Sequence, residues 1–136
     1  MNKHFIKYWL PLIIYLVLIF YISSLPLNNP QEKEIKKTFG IPNDVYEHVI
    51  GYGFLAIISY RLFANSKNKF INKKAITFAI LFTISYGIID EIHQIFVPTR
   101  FFEIKDIISN SIGALIIFSK DLIKNKKLTS LLFYLF

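Results

Sequence analysis

The chain has 136 residues, of which 54% are hydrophobic and 17% aromatic, and its mean hydropathy is +0.45. Soluble domains are only about 45–50% apolar, and the length fits one domain over residues 1–136. The absence of cysteine excludes disulfides and thiolate metal sites. A net charge of +7 suits a nucleic-acid binder, but most Lys and Arg flank apolar runs, as around inserted helices. We therefore expect a lipid bilayer, and no nucleic acid, as partner.

Residues 8–25 form the first predicted span. This run carries no charge and is close to the roughly 20 residues that a bilayer requires. A cleaved signal peptide is the alternative, because Lys3 and Lys7 precede the run and the small residues Ser23 and Ser24 end it. The apolar run is longer than the usual signal-peptide core, which favours a helix that stays in the protein.

The second predicted span covers residues 45–64 and follows a polar connection, residues 26–44. Its Gly51 and Gly53 predict close packing against another helix. A basic segment without an acidic residue then runs from Arg61 to Lys74. This segment is typical of a cytoplasmic loop.

Residues 75–97 form the third predicted span, which is apolar up to Tyr86 and polar in its last third. Pro98 ends it, because the residue before a proline disfavours helix. The fourth predicted span covers residues 106–123. The apolar tail, residues 128–136, is too short to cross a bilayer as a helix.

The positive-inside rule orients these spans. With both termini in the cytoplasm, cytoplasmic segments hold eleven basic residues and the outer connections hold five. The sequence therefore predicts an all-α integral membrane protein of the plasma membrane. It is a multi-pass, four-transmembrane-helix bundle with helices at about 8–25, 45–64, 75–97 and 106–123 and both termini cytoplasmic. Its oligomeric state stays open.

This topology brings the polar residues of all four spans to one depth, near the outer membrane face. At about 100° per residue, the polar residues of the last three spans also share one helix face each. Three such stripes can be buried against one another, which predicts a polar pocket. Its predicted binding residues are Arg100, Asp106, Gln94, Asn110, Asp44 and Tyr86.

Two pairs of ionisable residues are the candidates for chemistry in this pocket: His48 and His93, and Asp90 and Glu91. The same four are candidate catalytic acid–base groups and candidate ligands of a divalent metal. No spacing resembles the zinc motif H-E-x-x-H, so no cofactor is assigned. Because adjacent carboxylates repel, Arg100 is the predicted partner of one of them or of a ligand phosphate. The alternative is that these residues are interfacial or hydrogen-bond the helices together.

The sequence resembles the VanZ-like family at Tyr86-Gly87-x-x-Asp90-Glu91-x-His93-Gln94-x-Phe96-x-Pro98-x-Arg100, followed by Asp106, Asn110 and Gly113. The resemblance extends to Ser23-Ser24-x-Pro26 and to Asp44, His48 and Tyr52. One departure is Val45, where the family often has a lysine. The resemblance implies a four-helix membrane protein of the cell envelope. Some members of the family lower susceptibility to glycopeptide antibiotics such as teicoplanin.

Binding or modulation of an anionic envelope component is the function that these features favour. A lipid-linked phosphate or a peptidoglycan precursor would suit Arg100 beside histidines and carboxylates, and binding would affect glycopeptide susceptibility. The alternative is a membrane-embedded hydrolase or transferase that acts on a lipid-linked substrate, with or without a metal. A transporter is disfavoured, because no polar path continues through residues 78–85 to the cytoplasmic side.

Overall fold

The computed structural model describes residues 3–26, 37–38 and 41–115. This part of the chain consists of helices, one hairpin made of two two-residue strands, and the connections between them. A π-helical turn, Phe5–Trp9, continues into α1, Leu10–Ser23. The hairpin pairs β1, Lys37–Thr38, antiparallel with β2, Ile41–Pro42. The remaining elements are α2 (Asn43–Ala64), α3 (Lys69–Lys73), α4 (Ala75–Gln94) and α5 (Ile104–Leu115). The predicted helical class is confirmed.

The helix ends differ from the predicted ones by a few residues. α2 begins at Asn43, so that Asp44 lies in its first turn, where the helix dipole favours a carboxylate. α4 ends at Gln94, three residues before the predicted end. The short helix α3 was not predicted, and the Asn68 side chain caps it by accepting from the backbone N–H groups of Phe70 and Ile71. Residues 116–123 of the fourth predicted helix, and the tail, lie outside the described residues.

Within the described residues, two helical stretches are long and apolar enough to cross a membrane: Phe5–Ser23 and Ala75–Gln94. At about 1.5 Å per residue each is about 30 Å long, the thickness of a bilayer's hydrocarbon core. α2 is as long, with 22 residues, but its first turns are polar. The 12 described residues of α5 measure about 18 Å.

The core lies between α2, α4 and α5, and α1 packs on the outside of α2. One cluster joins Leu12 of α1 to Leu55 and Leu62 of α2, and a second contains Ala56 and Ala79. Large apolar side chains cover the outer surface instead, as expected where helices face lipid. Examples are Val17 and Ile89, each 61% exposed, and Leu81, 57% exposed.

α2 and α5 approach each other closely at Gly113. A Cβ atom there would collide with the Val49 carbonyl oxygen and would lie 2.9 Å from the Gly53 backbone nitrogen. The predicted close packing at Gly53 is thus confirmed. At Gly51 it is wrong, because an added Cβ meets nothing within 4 Å. The Gly51 carbonyl instead accepts a hydrogen bond from the Tyr15 hydroxyl at 3.0 Å.

Hydrogen bonds fix the two ends of α1. At its start, the Tyr8 hydroxyl donates to Asn65 Oδ1, just after α2, at 3.0 Å. At its end, Ser24 Oγ lies 3.0 Å from His93 Nε2, near the end of α4. The end of α1 thus meets the end of α4, and contacts of His48 with Asn110 and of Asp44 with Lys105 join the first turns of α2 to α5. We call the end of the molecule where these helix ends lie the polar end.

Candidate functional site

A cavity of about 490 Å³ lies at the polar end between α1, α2 and α4. Its walls are largely apolar, because Leu18 and Ile22 of α1 face Ile50 of α2 across it. Its remaining lining residues are Tyr15, Ile19, Ser23, Tyr46, Glu47, His48, Gly51, Tyr52, Asp90, Gln94 and Arg100. The cavity thus combines an apolar wall with a set of polar and charged groups.

Asp90 and Gln94 contribute buried oxygens to this cavity. The Tyr52 hydroxyl donates to Asp90 Oδ2 at 3.1 Å, and both side chains are buried. Asp90 Oδ1 and Gln94 Oε1 have no hydrogen-bond partner in the described part of the chain. Buried polar atoms are normally paired, so these two oxygens beside the cavity are exceptions within the described residues.

A second group of ionisable residues lies beside the cavity, where α2, α4 and α5 meet. His48, Glu91 and Asp106 each offer one ligand atom, and these atoms lie within 4.8 Å of one another. His48 Nε2 is 3.4 Å from Asp106 Oδ2. The Glu91 and Asp106 side chains are both fully buried, with 0% exposure. His48 belongs to this cluster and also lines the cavity.

Neighbouring groups hold the cluster in place. Asn110 Oδ1 lies 2.9 Å from His48 Nδ1, and because that oxygen can only accept, Nδ1 carries the proton. Nε2 then faces Asp106 in the cluster. The Gln94 amide donates to Glu91 Oε1 at 3.0 Å, and the backbone N–H of Glu103 donates to Glu91 Oε2 at 3.2 Å. Each of these bonds orients a ligand atom.

His93 lies apart from this cluster, although the sequence grouped it with His48, Asp90 and Glu91. Its ring stacks on Phe20 of α1, with the ring centroids 4.3 Å apart. Its Nε2 lies beside the Ser24 hydroxyl. Of the four candidates for chemistry, the structure brings together His48 and Glu91, and it adds Asp106 to them.

Arg100 contacts α1 and not the predicted carboxylates. Its Nε donates to the Leu25 carbonyl at 3.0 Å and its Nη2 to the Ile22 carbonyl at 3.3 Å. Carbonyls at a helix end carry partial negative charge and lack helical partners, so a guanidinium fits there. The same side chain lines the cavity, which leaves part of its N–H donors for a ligand.

Lys105 is a residue that the sequence reasoning did not single out. Its Nζ lies 2.8 Å from Glu103 Oε2 and 3.5 Å from Asp44 Oδ2. It therefore places a cation beside the start of α2. Its position one residue before Asp106 was the signal available in the sequence.

Tyr86, a predicted binding residue, and the neighbouring polar residue Ser109 of α5 make helix contacts. The Tyr86 hydroxyl donates to the Leu16 carbonyl at 2.7 Å and ties α4 to α1. Ser109 Oγ donates to the Lys105 carbonyl within α5 at 2.8 Å. Tyr86 is absent from the lining of the cavity, and no site role follows from its position.

Comparison with known proteins gives one family. The sequence profile of the VanZ/LLP1 family matches residues 9–120, which include α1 to α5 and both strands. Neither a curated protein nor a solved structure matches the chain.

Proposed function

Since the chain belongs to the VanZ/LLP1 family, we propose that it binds or modulates an anionic, lipid-linked component of the cell envelope in the cavity between α1, α2 and α4. Family membership and the two apolar helices indicate a membrane protein of the cell envelope. In the proposed topology, the protein crosses the plasma membrane several times. Its polar end lies at the outer face, and both termini are cytoplasmic.

The combination of apolar walls and polar groups in one cavity carries this proposal. Its volume of about 490 Å³ is in the usual range of small-molecule sites. Leu18, Ile22 and Ile50 offer a surface to an acyl or prenyl chain. Arg100 offers a guanidinium whose planar donors match phosphate oxygens. A lipid-linked phosphate or a lipid-linked peptidoglycan precursor has both parts.

Charge supports the proposed orientation. α3 and the residues around it hold Lys67, Lys69, Lys73 and Lys74, and this segment joins the end of α2 to the start of α4. The segment therefore lies away from the polar end. Basic loops stay preferentially in the cytoplasm, which assigns the polar end to the outer side.

The binding proposal is tested with two lipids that differ only in the phosphate group: a polyprenyl phosphate and the polyprenol of the same length. The protein is placed in nanodiscs, and the bound lipid is measured by native mass spectrometry. We expect the phosphate to bind more tightly than the alcohol. Arg100→Gln should weaken binding of the phosphate by about tenfold to a hundredfold, the equivalent of a charge-assisted hydrogen bond worth about 1.5–3 kcal/mol.

Lys67→Gln is the matched control, because it removes one exposed positive charge away from the polar end. It should leave binding unchanged. Equal binding of both lipids, or an Arg100→Gln variant that is folded and binds the phosphate like wild type, would contradict the proposal. In cells, we expect teicoplanin susceptibility to change when the protein is expressed, and Arg100→Gln to abolish that change.

A second candidate function is a metal-dependent hydrolase or transferase that acts on a lipid-linked substrate. The cluster of His48, Glu91 and Asp106 favours it, because His48 also lines the cavity in which the substrate would lie. Purified protein is incubated with polyprenyl diphosphate and Mg²⁺, Mn²⁺ or Zn²⁺, and phosphate release is measured. Turnover that is lost in Glu91→Gln supports this function, and no turnover with a panel of lipid phosphates counts against it.

A further inference from the structure

We infer that His48, Glu91 and Asp106 form a binding site for one divalent cation. The site joins three helices, because the ligands come from α2, α4 and α5. This inference goes beyond the proposed lipid binding and does not depend on it. It is tested with metal ions alone.

The donor set and its spacing fit a metal. One imidazole nitrogen and two carboxylate oxygens are ligands that Zn²⁺ accepts, and three protein ligands leave one position open. In a tetrahedral site with ligands at about 2.0–2.1 Å from the metal, neighbouring ligand atoms are about 3.4 Å apart. His48 Nε2 and Asp106 Oδ2 are 3.4 Å apart, and the Glu91 ligand atom lies within 4.8 Å of both. Small side-chain movements therefore bring all three to bonding distance.

The orientation of the His48 ring also supports a metal site. Its Nδ1 faces Asn110 Oδ1 and donates to it, so Nε2 is the nitrogen that faces Asp106, and in the neutral ring Nε2 carries the lone pair. In metal sites, a ligating histidine usually donates its other N–H to such an acceptor. A lone pair and two fully buried carboxylates repel one another, and a divalent cation converts this repulsion into attraction. The rival is a protonated His48 that forms an ion pair with Asp106.

The side chain of Gln94 lies next to the cluster and bonds to it. Gln94, 2% exposed, donates its amide N–H to Glu91, while its Oε1 is buried and without a hydrogen-bond partner among the described residues. An amide oxygen can bind a cation or a cation-bound water. Lys105 pairs with Glu103 and Asp44, and its charge also lies close enough to Asp106 to interact with it. The site is thus built from several independent contacts.

The metal site also lies beside the cavity that is proposed to bind an anionic lipid. His48 lines the cavity between α1, α2 and α4, and its side chain is 16% exposed. A cation held there lies next to the space proposed for an anionic head group. This last point alone rests on the proposed function.

The test measures metal content and stability of purified, tag-free protein in detergent. The protein is stripped with a chelator, dialysed against Zn²⁺, Mn²⁺ or Mg²⁺, and analysed by elemental mass spectrometry. We expect one equivalent of at least one of these ions per wild-type chain and a higher melting temperature when that ion is present. Glu91→Gln and Asp106→Asn should each weaken binding by about tenfold or more, because each removes a charged ligand.

His93→Gln is the matched control, because it removes a histidine at the polar end that lies outside the cluster. It should keep one equivalent of metal. Added metal should raise the melting temperature of wild type and not that of Asp106→Asn. An ion pair between His48 and Asp106 without a metal site predicts no rise in either protein, which would contradict the inference.

Wild-type protein that binds none of the three ions overturns the inference, and this measurement stands whether or not the variants fold. Undiminished metal binding in both Glu91→Gln and Asp106→Asn also overturns it. Binding that is lost in Glu91→Gln and Asp106→Asn but kept in His93→Gln supports it. A result for metal leaves the lipid-binding proposal to its own test.

Discussion

Replacing Gly113 with alanine adds one methyl group at a close backbone contact between α2 and α5. The added Cβ would collide with the carbonyl oxygen of Val49 and lie 2.9 Å from the nitrogen of Gly53. Both are backbone atoms of α2, so no side chain can rotate to make room. The two helices have to separate, which moves Asp106 and Asn110 on α5 away from α2.

Two opposing free energies set the size of the effect. Alanine is favoured over glycine in a helix interior by about 1 kcal/mol. Overpacking of a tight contact costs about 1–3 kcal/mol, and a contact with backbone belongs at the upper end of that range. We therefore expect Gly113→Ala to lower the free energy of unfolding by about 1–2 kcal/mol.

Gly51→Ala is the matched control for this substitution. It makes the same change in α2, but its Cβ meets nothing within 4 Å, so it should leave stability unchanged or raise it by up to about 1 kcal/mol. Gly87→Ala should fall between the two. Its Cβ comes within 3.1 Å of the side chains of Asn110 and Tyr52, which have some freedom to move.

The assay is unfolding of the purified protein in mixed micelles by titration with SDS, followed by circular dichroism. The expected order of stability is Gly51→Ala, then Gly87→Ala, then Gly113→Ala. A Gly113→Ala variant as stable as Gly51→Ala would refute the close approach of α2 and α5, and with it the position of Asp106 beside His48.

Two further predictions concern the buried hydrogen bond at the cavity and the orientation in the membrane. Tyr52→Phe removes the donor to the buried Asp90 carboxylate and should cost about 1–3 kcal/mol in the same unfolding assay, whereas Tyr8→Phe removes an exposed bond and should cost less. An equal effect of the two would contradict the burial of that contact. The chain has no cysteine, so single cysteines report orientation. Phe101→Cys should react with a membrane-impermeant maleimide on intact cells and Lys67→Cys only after lysis, and the reverse result would contradict the orientation.

The helices were predictable from the sequence because apolar runs of fixed length have few alternatives in a chain this hydrophobic. The meeting of the polar residues at one end was also predictable, since antiparallel neighbours bring alternate helix ends together. The structure places the end of α1, the start of α2 and the end of α4 at one end, and α5 begins there too.

The partners of individual polar residues were less predictable, because helical phase gives a face but not the helix that it meets. Asp90 and Glu91 are adjacent, yet Asp90 faces Tyr52 and the cavity, while Glu91 lies with Asp106 of α5. His93 lies three residues after Asp90, about 60° from it around the helix, but its ring stacks on Phe20 of α1. His93 and Glu91 therefore differ in their partners because α1 packs beside one of them and α5 beside the other.

The turn after α4 explains why the expected partner of Arg100 was wrong. Thr99 has a φ of 67°, in the left-handed region, and the Arg100 backbone N–H donates to the Val97 carbonyl at 3.1 Å. This turn directs the guanidinium towards the end of α1. A β-branched residue rarely adopts this conformation, so nothing in the sequence predicts it.

Photo-crosslinking tests the central claim, that the cavity binds a lipid-linked phosphate, most directly. A polyprenyl phosphate with a diazirine near the phosphate is added to the protein in nanodiscs, and adducts are mapped by peptide mass spectrometry. We expect adducts on Ile22, Tyr46 and Ile50, which line the cavity, and we expect excess unlabelled polyprenyl phosphate to suppress them. Adducts that fall equally on the exposed outer residues Leu81 and Ile89, and that the competitor does not reduce, would contradict the account.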